Sequence, residues 1–294
     1  MTKTNKFSNL TRLNLTNIFI VLRYLVKTFL KLKPSQKENT IYIYYNYLIN
    51  SNGYFLTETD EYYISKFKNN FTKIIKMRKS PSSDLDVFQQ VYGWEEYKEV
   101  VKEYKKWFTN KADYKLNIID AGSNIGLTSL FFIDHFVQPT IICIEPEIEN
   151  FKILDFNLKN NNQSTLVTIH GAIWSSNSKI KIVKDFRDKL DWSFRVEETI
   201  NSDGIQAYSI NQLVVDNNFD IIDILKIDIE GSEKQIFTSK GSNVDFLKIT
   251  RCIALEIHDE FDCRSDIYKI LDDYGFDYFN YGELTIGVNK NLIV

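Results

Sequence analysis

The stretch Leu116-Asn117-Ile118-Ile119-Asp120-Ala121-Gly122-Ser123-Asn124-Ile125-Gly126 decides the fold of this chain. Its apolar beginning predicts a buried strand that ends at Asp120, and its glycines predict a tight turn into a helix. In doubly wound sheets such a turn lies above the strand ends, where ligands bind. A turn with a purely structural role is the alternative. We assign ligand contacts to Asp120, Gly122, Ser123, Asn124 and Gly126.

The loop departs from the dinucleotide pattern Gly-x-Gly-x-x-Gly, because Asn124 stands where the second glycine would be. That glycine lets backbone approach a pyrophosphate, so its absence disfavours NAD and FAD. S-adenosylmethionine carries no phosphate and does not require it. Asp120 suits this ligand, since its carboxylate can accept from the ligand amino group or organise the loop.

The next predicted strand ends in Glu145-Pro146. An acidic side chain at this point of such a sheet accepts hydrogen bonds from both ribose hydroxyls of a nucleoside ligand. The alternative is a surface glutamate that caps the helix beginning near Glu147. We assign Glu145 and Pro146 to the cofactor site.

From residue 115 onwards, short apolar runs alternate with helical patterns, which is typical of a parallel sheet with crossover helices. Strands are predicted at 116–120, 140–145, 165–170, 222–228 and 249–257, and helices at about 125–136, 147–160, 231–239 and 262–274. The last two strands, 276–281 and 283–289, are joined at Gly282. We therefore predict an α/β domain at residues 111–294, with a doubly wound sheet and a C-terminal antiparallel hairpin.

Residues 1–110 are aromatic and Lys-rich, and we predict a mainly helical region. Helices are expected at about 14–32, 60–76, 84–92 and 94–108. The first helix carries Arg23, Lys27 and Lys31 in its apolar run and precedes no small-residue cleavage site, so it is neither a signal peptide nor a membrane span. It either packs on the main domain or rests on a membrane as a basic amphipathic helix, and both place the protein in the cytoplasm.

Composition excludes some functions. A net charge of −3 gives no reason to expect nucleic-acid binding. The Asp/Asn-Pro-Pro-Tyr/Phe signature of base-amino methyltransferases is also absent. The three cysteines and three histidines lack the spacing of a zinc site, and the cysteines read as buried thiols in a reducing compartment.

Together with Leu225-Lys226-Ile227-Asp228-Ile229-Glu230-Gly231, these motifs resemble the FkbM-type methyltransferases. The resemblance runs from about Met77 to the C-terminus, through MRKSPSSDLDVF, IIDAGSNIGLTSLFF, IEPEIENFKILDFN, HGAIW, DILKIDIEGSEKQIF and LEIHD. It implies a class I (Rossmann-like) methyltransferase fold, S-adenosylmethionine as cofactor, and O-methylation of sugars or secondary metabolites.

The resemblance also implies further cofactor contacts. Ala172 stands where the adenine packs. Arg78 and Asp84 match a motif before the domain, which implies a lid over the cofactor or substrate. For Arg78 the alternative is a solvated surface charge.

Three side chains at predicted strand ends are the candidates for catalysis, namely Asp228, Glu230 and His258. Lys226 and Asp228 share one face of their strand, and buried charge is costly unless it is paired or functional. Glu230 could instead begin the helix at Gly231, where the helix dipole favours a negative charge. His258 has the ordinary pKa of a general base, although a lone histidine can also be structural. A divalent ion on these three side chains stays open, but no spacing demands one and we assign no metal.

The acceptor is the least determined part of the function. Trp174, Trp192 and Arg195 are candidates for stacking on a sugar ring, with core packing as the alternative. We predict an S-adenosylmethionine-dependent O-methyltransferase that acts on a sugar hydroxyl, near membranes if the first helix binds them. The alternatives are a dinucleotide-dependent oxidoreductase and a non-catalytic binding subunit with the same fold.

Overall fold

The computed structural model describes residues 8–68, 72–108, 114–160, 164–183, 195–199 and 204–293. The contacts within the chain divide it into two compact units, and the division falls between Glu95 and Glu96. The N-terminal unit contains a 3-10 turn at Ser8–Arg12, α1 (Leu15–Phe29), α2 (Gln36–Asn50), β1 (Gly53–Glu58), β2 (Tyr62–Lys68), β3 (Thr72–Arg78) and α3 (Asp84–Phe88), which continues as π-helix over Gln89–Gly93.

The prediction of a helix at 60–76 is wrong. The segment forms β2 and β3, which pair antiparallel with each other, and β1 pairs with β2 to complete a three-stranded sheet. Buried and partly exposed residues alternate along both strands, for example Tyr63, Ser65 and Phe67 on β2. This period of two buries one face of a strand, and it outweighs the weak helical pattern of the same residues.

The first two helices form a pair that begins with side-chain caps. Asn14 accepts the Asn17 N–H at 2.8 Å at the start of α1. At the start of α2, Ser35 and Glu38 bond to each other's backbone N–H as a capping box. Among the described residues, no helix combines the length and apolar composition that a bilayer crossing requires.

The C-terminal unit alternates strands and helices. Its elements are α4 (Lys98–Trp107), β4 (Asn117–Ala121), α5 (Leu127–His135), β5 (Thr140–Glu145), α6 (Ile148–Lys159), β6 (Thr165–His170), β7 (Ala172–Ile173), β8 (Lys179–Val183), β9 (Arg195–Glu198), β10 (Ile205–Tyr208), α7 (Ile210–Asp216), β11 (Ile222–Ile227), α8 (Glu233–Phe237), β12 (Thr250–Glu256), α9 (Arg264–Asp273), β13 (Phe276–Tyr281) and β14 (Leu284–Asn289). Further 3-10 turns lie at Asp245–Ile249, Asp259–Phe261 and Lys290–Leu292.

Seven strands form the main sheet in the order β13-β14-β12-β11-β4-β5-β6. All pairs from β12 to β6 are parallel, whereas β14 is antiparallel to both β12 and β13. The predicted class I methyltransferase fold with a C-terminal hairpin is therefore confirmed. Because β4 and β11 lie side by side at the reversal of strand order, their carboxyl ends border the crevice in which such sheets bind ligands.

A second, four-stranded sheet in the order β7-β10-β8-β9 was not predicted. Its strands are short, and its small core consists of Ala172, Trp174, Ile180 and Ala207. Strands this short carry too few alternating positions to be recognised in sequence.

Helix α4 lies in the C-terminal unit, whereas the sequence placed residues up to 110 in the N-terminal region. Its buried side chains include Val100, Val101 and Tyr104, and the helix packs against β12 and β14. Burial of this apolar face joins α4 to the main sheet.

Candidate active site

The loop after β4 turns through three left-handed residues: Gly122, Asn124 and Gly126, with φ angles of 77°, 48° and 83°. A Cβ added to Gly122 would stand 1.8 Å from the carbonyl oxygen of Asp228. Only glycine fits there, because the loop lies directly against the chain that leaves β11. The Asp228 N–H also donates to Ala121 O at 3.1 Å, which holds the two strand ends together.

Ser123 ties this loop to β5. The N–H groups of Gly122 and Ser123 both donate to Ile144 O, at 3.0 Å and 2.9 Å. The Ser123 hydroxyl donates to Asp120 O at 2.6 Å and accepts the Ile144 N–H at 3.0 Å. The side chain is buried, so its structural role is to shape the loop, and its predicted ligand contact stays a prediction.

Glu145 is buried at the end of β5 and connects the two predicted cofactor motifs. Its Oε2 accepts the Asn124 N–H at 2.9 Å, and its Oε1 accepts the Glu147 N–H at 2.9 Å and the Asn150 side-chain N–H at 3.3 Å. Burial raises the pKa of this carboxyl to about 7, although the donors on its oxygens oppose the rise. Ionisation of the Glu145 carboxyl is therefore costly, and each further hydrogen-bond donor stabilises the ionised form.

Asp120 and Asp228 flank a buried lysine. The Lys226 ammonium lies 3.4 Å from Asp120 Oδ1 and 3.5 Å from Asp228 Oδ2, and it donates to Gly122 O at 2.5 Å. Burial alone would lower the pKa of Lys226, but the two carboxylates outweigh it and the pKa is raised. Asp120 also accepts from the Ser129 hydroxyl at 2.6 Å. The two charged residues that the sequence placed on one face of their strand, Lys226 and Asp228, are thus an ion pair.

His258 is buried among carboxylates. Its Nδ1 lies 2.9 Å from Glu233 Oε1, and its Nε2 lies 3.3 Å from Glu230 Oε2 and 3.5 Å from Glu256 Oε1. Burial lowers the pKa of His258, but the carboxylates of Glu230 and Glu233 outweigh it and raise the pKa to about 11. A protonated imidazole cannot accept a proton, so this pairing disfavours a base role for His258, which stays a prediction.

The structure brings the three catalytic candidates together. One carboxylate oxygen each of Asp228 and Glu230 and one ring nitrogen of His258 lie within 4.8 Å of one another. They reach this point from the turn after β11 and from the end of β12, which are neighbouring strands.

Sequence reasoning missed further acids around Asp228. Burial, and then the charge of Asp228, raise the pKa of Glu96 to about 7 and that of Glu256 to about 9. Glu283 adds to both shifts. Glu256 could have been found, because it ends β12 and His258 follows two positions later in extended backbone, so that the two side chains share a face.

Asn157 was also missed. Its side-chain N–H donates to Ile125 O at 2.9 Å, and the side chain is fully buried on α6. Asn157 thus connects α6 to the loop after β4. A polar residue on the apolar face of a predicted helix was the available signal.

The remaining predicted cofactor residues have structural neighbours, and their ligand contacts stay predictions. Pro146 O lies 3.0 Å from His170 Nε2, and Ala172 is buried at the start of β7. In the N-terminal unit, the Arg78 guanidinium donates to the buried Asp84 carboxylate at 2.6 Å, as does the Arg78 backbone N–H. This pair ties the end of β3 to the start of α3.

Of the side chains considered for sugar stacking, Trp174 is buried in the core of the small sheet and donates to Glu198 Oε1 at 2.7 Å. Trp174 therefore has the core-packing role that was the alternative to sugar stacking. Arg195 begins β9, and Trp192 lies outside the described residues.

A glycine-rich loop braced by an acidic strand end, on this order of strands, defines a class I methyltransferase. A family model described as the methyltransferase FkbM domain matches residues 120–278. The chain therefore belongs to the FkbM methyltransferase family.

The chain is similar to several known methyltransferases. It is 24% identical over 196 residues to methyltransferase sdnD of Sordaria araneosa, a match that covers 54% of this chain and 73% of the relative. Solved structures include methyltransferase FkbM from Methylobacillus flagellatus KT, at 17% identity and a TM-score of 0.39, with 70% of this chain and 53% of that chain covered. A SAM-dependent methyltransferase from Agrobacterium tumefaciens has 11% identity and a TM-score of 0.37, with 68% and 53% covered. The chain thus spans about half the length of these two structures.

Proposed function

We propose that the protein transfers the methyl group of S-adenosylmethionine to a sugar hydroxyl, free or within a glycan, glycolipid or glycosylated metabolite. The observation that carries the assignment of the donor is the 2.9 Å hydrogen bond from the Asn124 N–H to Glu145 Oε2, and the sugar acceptor follows from the family resemblance. This bond holds the loop after β4 beside the carboxylate that suits ribose hydroxyls. The loop and Glu145 therefore lie next to each other, as a site for a nucleoside ligand requires.

The internal bonding of the loop supports a donor without phosphate. The N–H groups of Gly122 and Ser123 are used by Ile144 O, that of Asn124 by Glu145, and that of Gly126 by Ser123 O. A pyrophosphate would need such N–H groups as its own hydrogen-bond donors. Membership of a methyltransferase family points the same way.

The transfer itself requires that the sugar hydroxyl be aligned with the methyl group and that a base take the hydroxyl proton. The bond between the donor sulfur and its methyl carbon breaks as the bond between the sugar oxygen and that carbon forms. The hydroxyl proton passes to Asp228, whose side chain is 28% exposed beside the loop. His258, held as a cation by Glu233 and Glu230, fixes the neighbouring carboxylates rather than taking the proton.

The donor assignment is tested by calorimetry with S-adenosylhomocysteine. We expect Glu145→Gln to weaken binding by about ten- to a hundredfold, because a charged acceptor for the ribose is lost. Glu149→Gln, an exposed carboxylate of the same helix region paired with Lys152, is the control and should bind as the wild type does. If Glu145→Gln bound S-adenosylhomocysteine as tightly as the wild type does, the assignment of Glu145 to the donor site would be wrong.

The catalytic assignment needs a separate readout. We expect Asp228→Asn and His258→Ala to lower kcat far more than they weaken donor binding, measured with an accepted sugar substrate. Normal turnover in both variants would show that the chemistry lies elsewhere.

The oxidoreductase alternative predicts a different ligand. Thermal unfolding of the purified protein with NAD and with S-adenosylhomocysteine distinguishes them, because only a ligand that binds the folded state raises Tm. The acceptor is identified by mass spectrometry of glycans from cells with and without the gene, in which one CH2 unit should be missing from the latter.

We further propose that α1 rests on an anionic membrane surface, which would bring the enzyme to lipid-linked sugars. Its exposed face carries Leu15, Phe19, Val26 and Phe29, and the exposed Leu30 follows directly after the helix. The large exposed fractions of Phe19 and Phe29, 66% and 86%, are costly in water. Exposed Arg23 and Lys31 flank this stripe and complement anionic lipid headgroups.

Sedimentation with vesicles tests the membrane proposal. We expect the wild type to bind vesicles of phosphatidylserine and phosphatidylcholine more strongly than vesicles of phosphatidylcholine alone, and Phe19→Glu with Phe29→Glu to abolish binding. Val215→Glu alters an apolar residue of similar exposure, 69%, on α7 and should bind normally. Absence of wild-type binding, or equal binding by all variants, would contradict the proposal.

A further inference from the structure

The side chains that end β11 and β12 have the composition of a cation site. Asp228 and Glu230 supply carboxylate oxygens and His258 supplies a ring nitrogen, all within 4.8 Å of one another. Two carboxylates and an imidazole are ligands that divalent ions such as Mn²⁺ accept. They come from two neighbouring strands, so the sheet itself fixes their spacing.

The orientation of His258 is an independent observation. Its side chain is 1% exposed, and within the described residues its Nε2 atom makes no hydrogen bond, although it faces Glu230 and Glu256. The other ring nitrogen, Nδ1, is held at 2.9 Å by the buried carboxylate of Glu233. Metal-ligating histidines almost always bond their second nitrogen to a carboxylate or carbonyl in this way.

The charges around the three side chains also call for a cation. Asp228 and Glu283 both act on the carboxylates of Glu96 and of Glu256. Lys226 lies between Asp120 and Asp228 and so already neutralises carboxylates of the loop. A divalent ion would compensate the remaining negative charge more completely than the single proton of an imidazolium does.

We propose that Asp228, Glu230 and His258 bind a divalent cation of the Mn²⁺ or Mg²⁺ type, with Glu233 orienting the histidine. This revises our sequence-based assignment of no metal. Binding of the ion stands on the geometry alone, whereas its role rests on the proposed function.

In that role the ion would bind the acceptor hydroxyl beside its three protein ligands and lower the pKa of that hydroxyl. The bond changes at sulfur, carbon and oxygen are those of the transfer described above. Only the route of the proton differs, because Asp228 is then a ligand and the proton of the ion-bound hydroxyl leaves to solvent water.

Titration of the full chain with Mn²⁺ after chelation, followed by the electron paramagnetic resonance signal of the free ion, tests the site. We expect the wild type to remove free Mn²⁺ and His258→Ala to bind it at least about tenfold more weakly. Asp259→Asn, an exposed carboxylate paired with Arg264 next to the site, is the control and should bind normally. Glu230→Gln, with a partly exposed side chain, is a second ligand variant should His258→Ala fail to fold.

No uptake by the wild type, or equal uptake by the wild type and the ligand variants, would overturn the cation site. Calorimetry with S-adenosylhomocysteine on the same samples separates the two proposals. Mn²⁺ uptake that depends on His258, without binding of S-adenosylhomocysteine, supports the cation site and overturns the donor assignment. Binding of S-adenosylhomocysteine without Mn²⁺ uptake does the reverse.

Discussion

Gly122 combines two constraints that a sequence shows only in part. Its φ of 77° is left-handed, which any glycine-rich loop would suggest, but its contact with Asp228 O arises only when β11 lies next to β4. The residue therefore fixes both the turn of the loop and its distance from the candidate active site.

We expect Gly122→Ala to lower the free energy of unfolding by about 3 kcal/mol, since left-handed strain and a backbone clash add. Gly282→Ala is the matched control, because Gly282 is also left-handed at 61° but no atom of the described residues lies within 4 Å of an added Cβ. It should cost about 1 kcal/mol. Urea unfolding measures both, and equal losses would mean that the contact with Asp228 O is unimportant.

Glu145 predicts a pH dependence of donor binding. Its pKa of about 7 in the ligand-free protein means that the carboxyl is largely protonated in mild acid. Ribose hydroxyls donate best to the ionised form, so affinity should rise as pH rises through neutrality, by up to about tenfold between about pH 6 and about pH 8. Calorimetry on the wild type and Glu145→Gln checks this. A wild-type slope no steeper than that of the variant would contradict the role of Glu145.

Single site residues could be predicted from the sequence where they belong to a short, contiguous motif. Asp120, Gly122 and Glu145 stand in short motifs at strand ends, so their positions follow from one or two elements. Glu96 was missed because it approaches Asp228 only through the tertiary fold, which lies beyond any local pattern. For Glu256 the alternation with His258 was an available signal.

Among the elements, α4 and three strands meet at one buried carboxylate. Asp223 accepts from Tyr104 Oη at 2.7 Å, from the Asn117 N–H at 2.8 Å and from Arg251 Nη1 at 2.8 Å. It thereby joins α4, β4 and β12 to β11 at the end of the sheet opposite the candidate active site.

We expect Asp223→Asn to cost about 3 kcal/mol of unfolding free energy, because the mostly buried Arg251 would lose its ion pair with the Asp223 carboxylate. Asp220→Asn, an exposed change three positions away, should be neutral within about 0.5 kcal/mol. Chemical denaturation compares them, and a neutral Asp223→Asn would show that the network contributes nothing to stability.

The pair of helices α1 and α2 should be sensitive to acid. The bonds from Lys27 and the Ser35 N–H lower the pKa of Glu38 from 4.5 to about 2. A lowered pKa in the folded state gives stability that is present above 4.5 and is lost as pH falls towards 2. Helical circular dichroism in urea at about pH 6 and about pH 3 should therefore show a larger loss of stability in the wild type than in Glu38→Gln. Equal losses would contradict it.

Elements with a strong period were predicted well. The strands that form β5, β6 and β13 were placed at their observed bounds, because each is a continuous apolar or alternating run between turn residues. Strands β2 and β3 were taken for a helix, since their lysines and aromatics satisfy both periods until the partner strand determines which face is buried.

At the scale of the whole molecule, the central claim is that this sheet carries a nucleoside methyl donor at the carboxyl ends of β4 and β5. The order of strands, the braced loop and the family match all bear on it, whereas the first unit has no counterpart in the matched residues 120–278. The sequence could predict this site because its motifs are contiguous. The acceptor site was beyond prediction, because it depends on loops and on residues brought together from distant parts of the chain.

Isothermal calorimetry of the wild-type chain with S-adenosylhomocysteine, with NAD as the comparison, tests this claim most directly. We predict saturable binding of S-adenosylhomocysteine that Glu145→Gln weakens at least about tenfold, and no binding of NAD. Binding of NAD in its place, or no binding of S-adenosylhomocysteine at all, would contradict it.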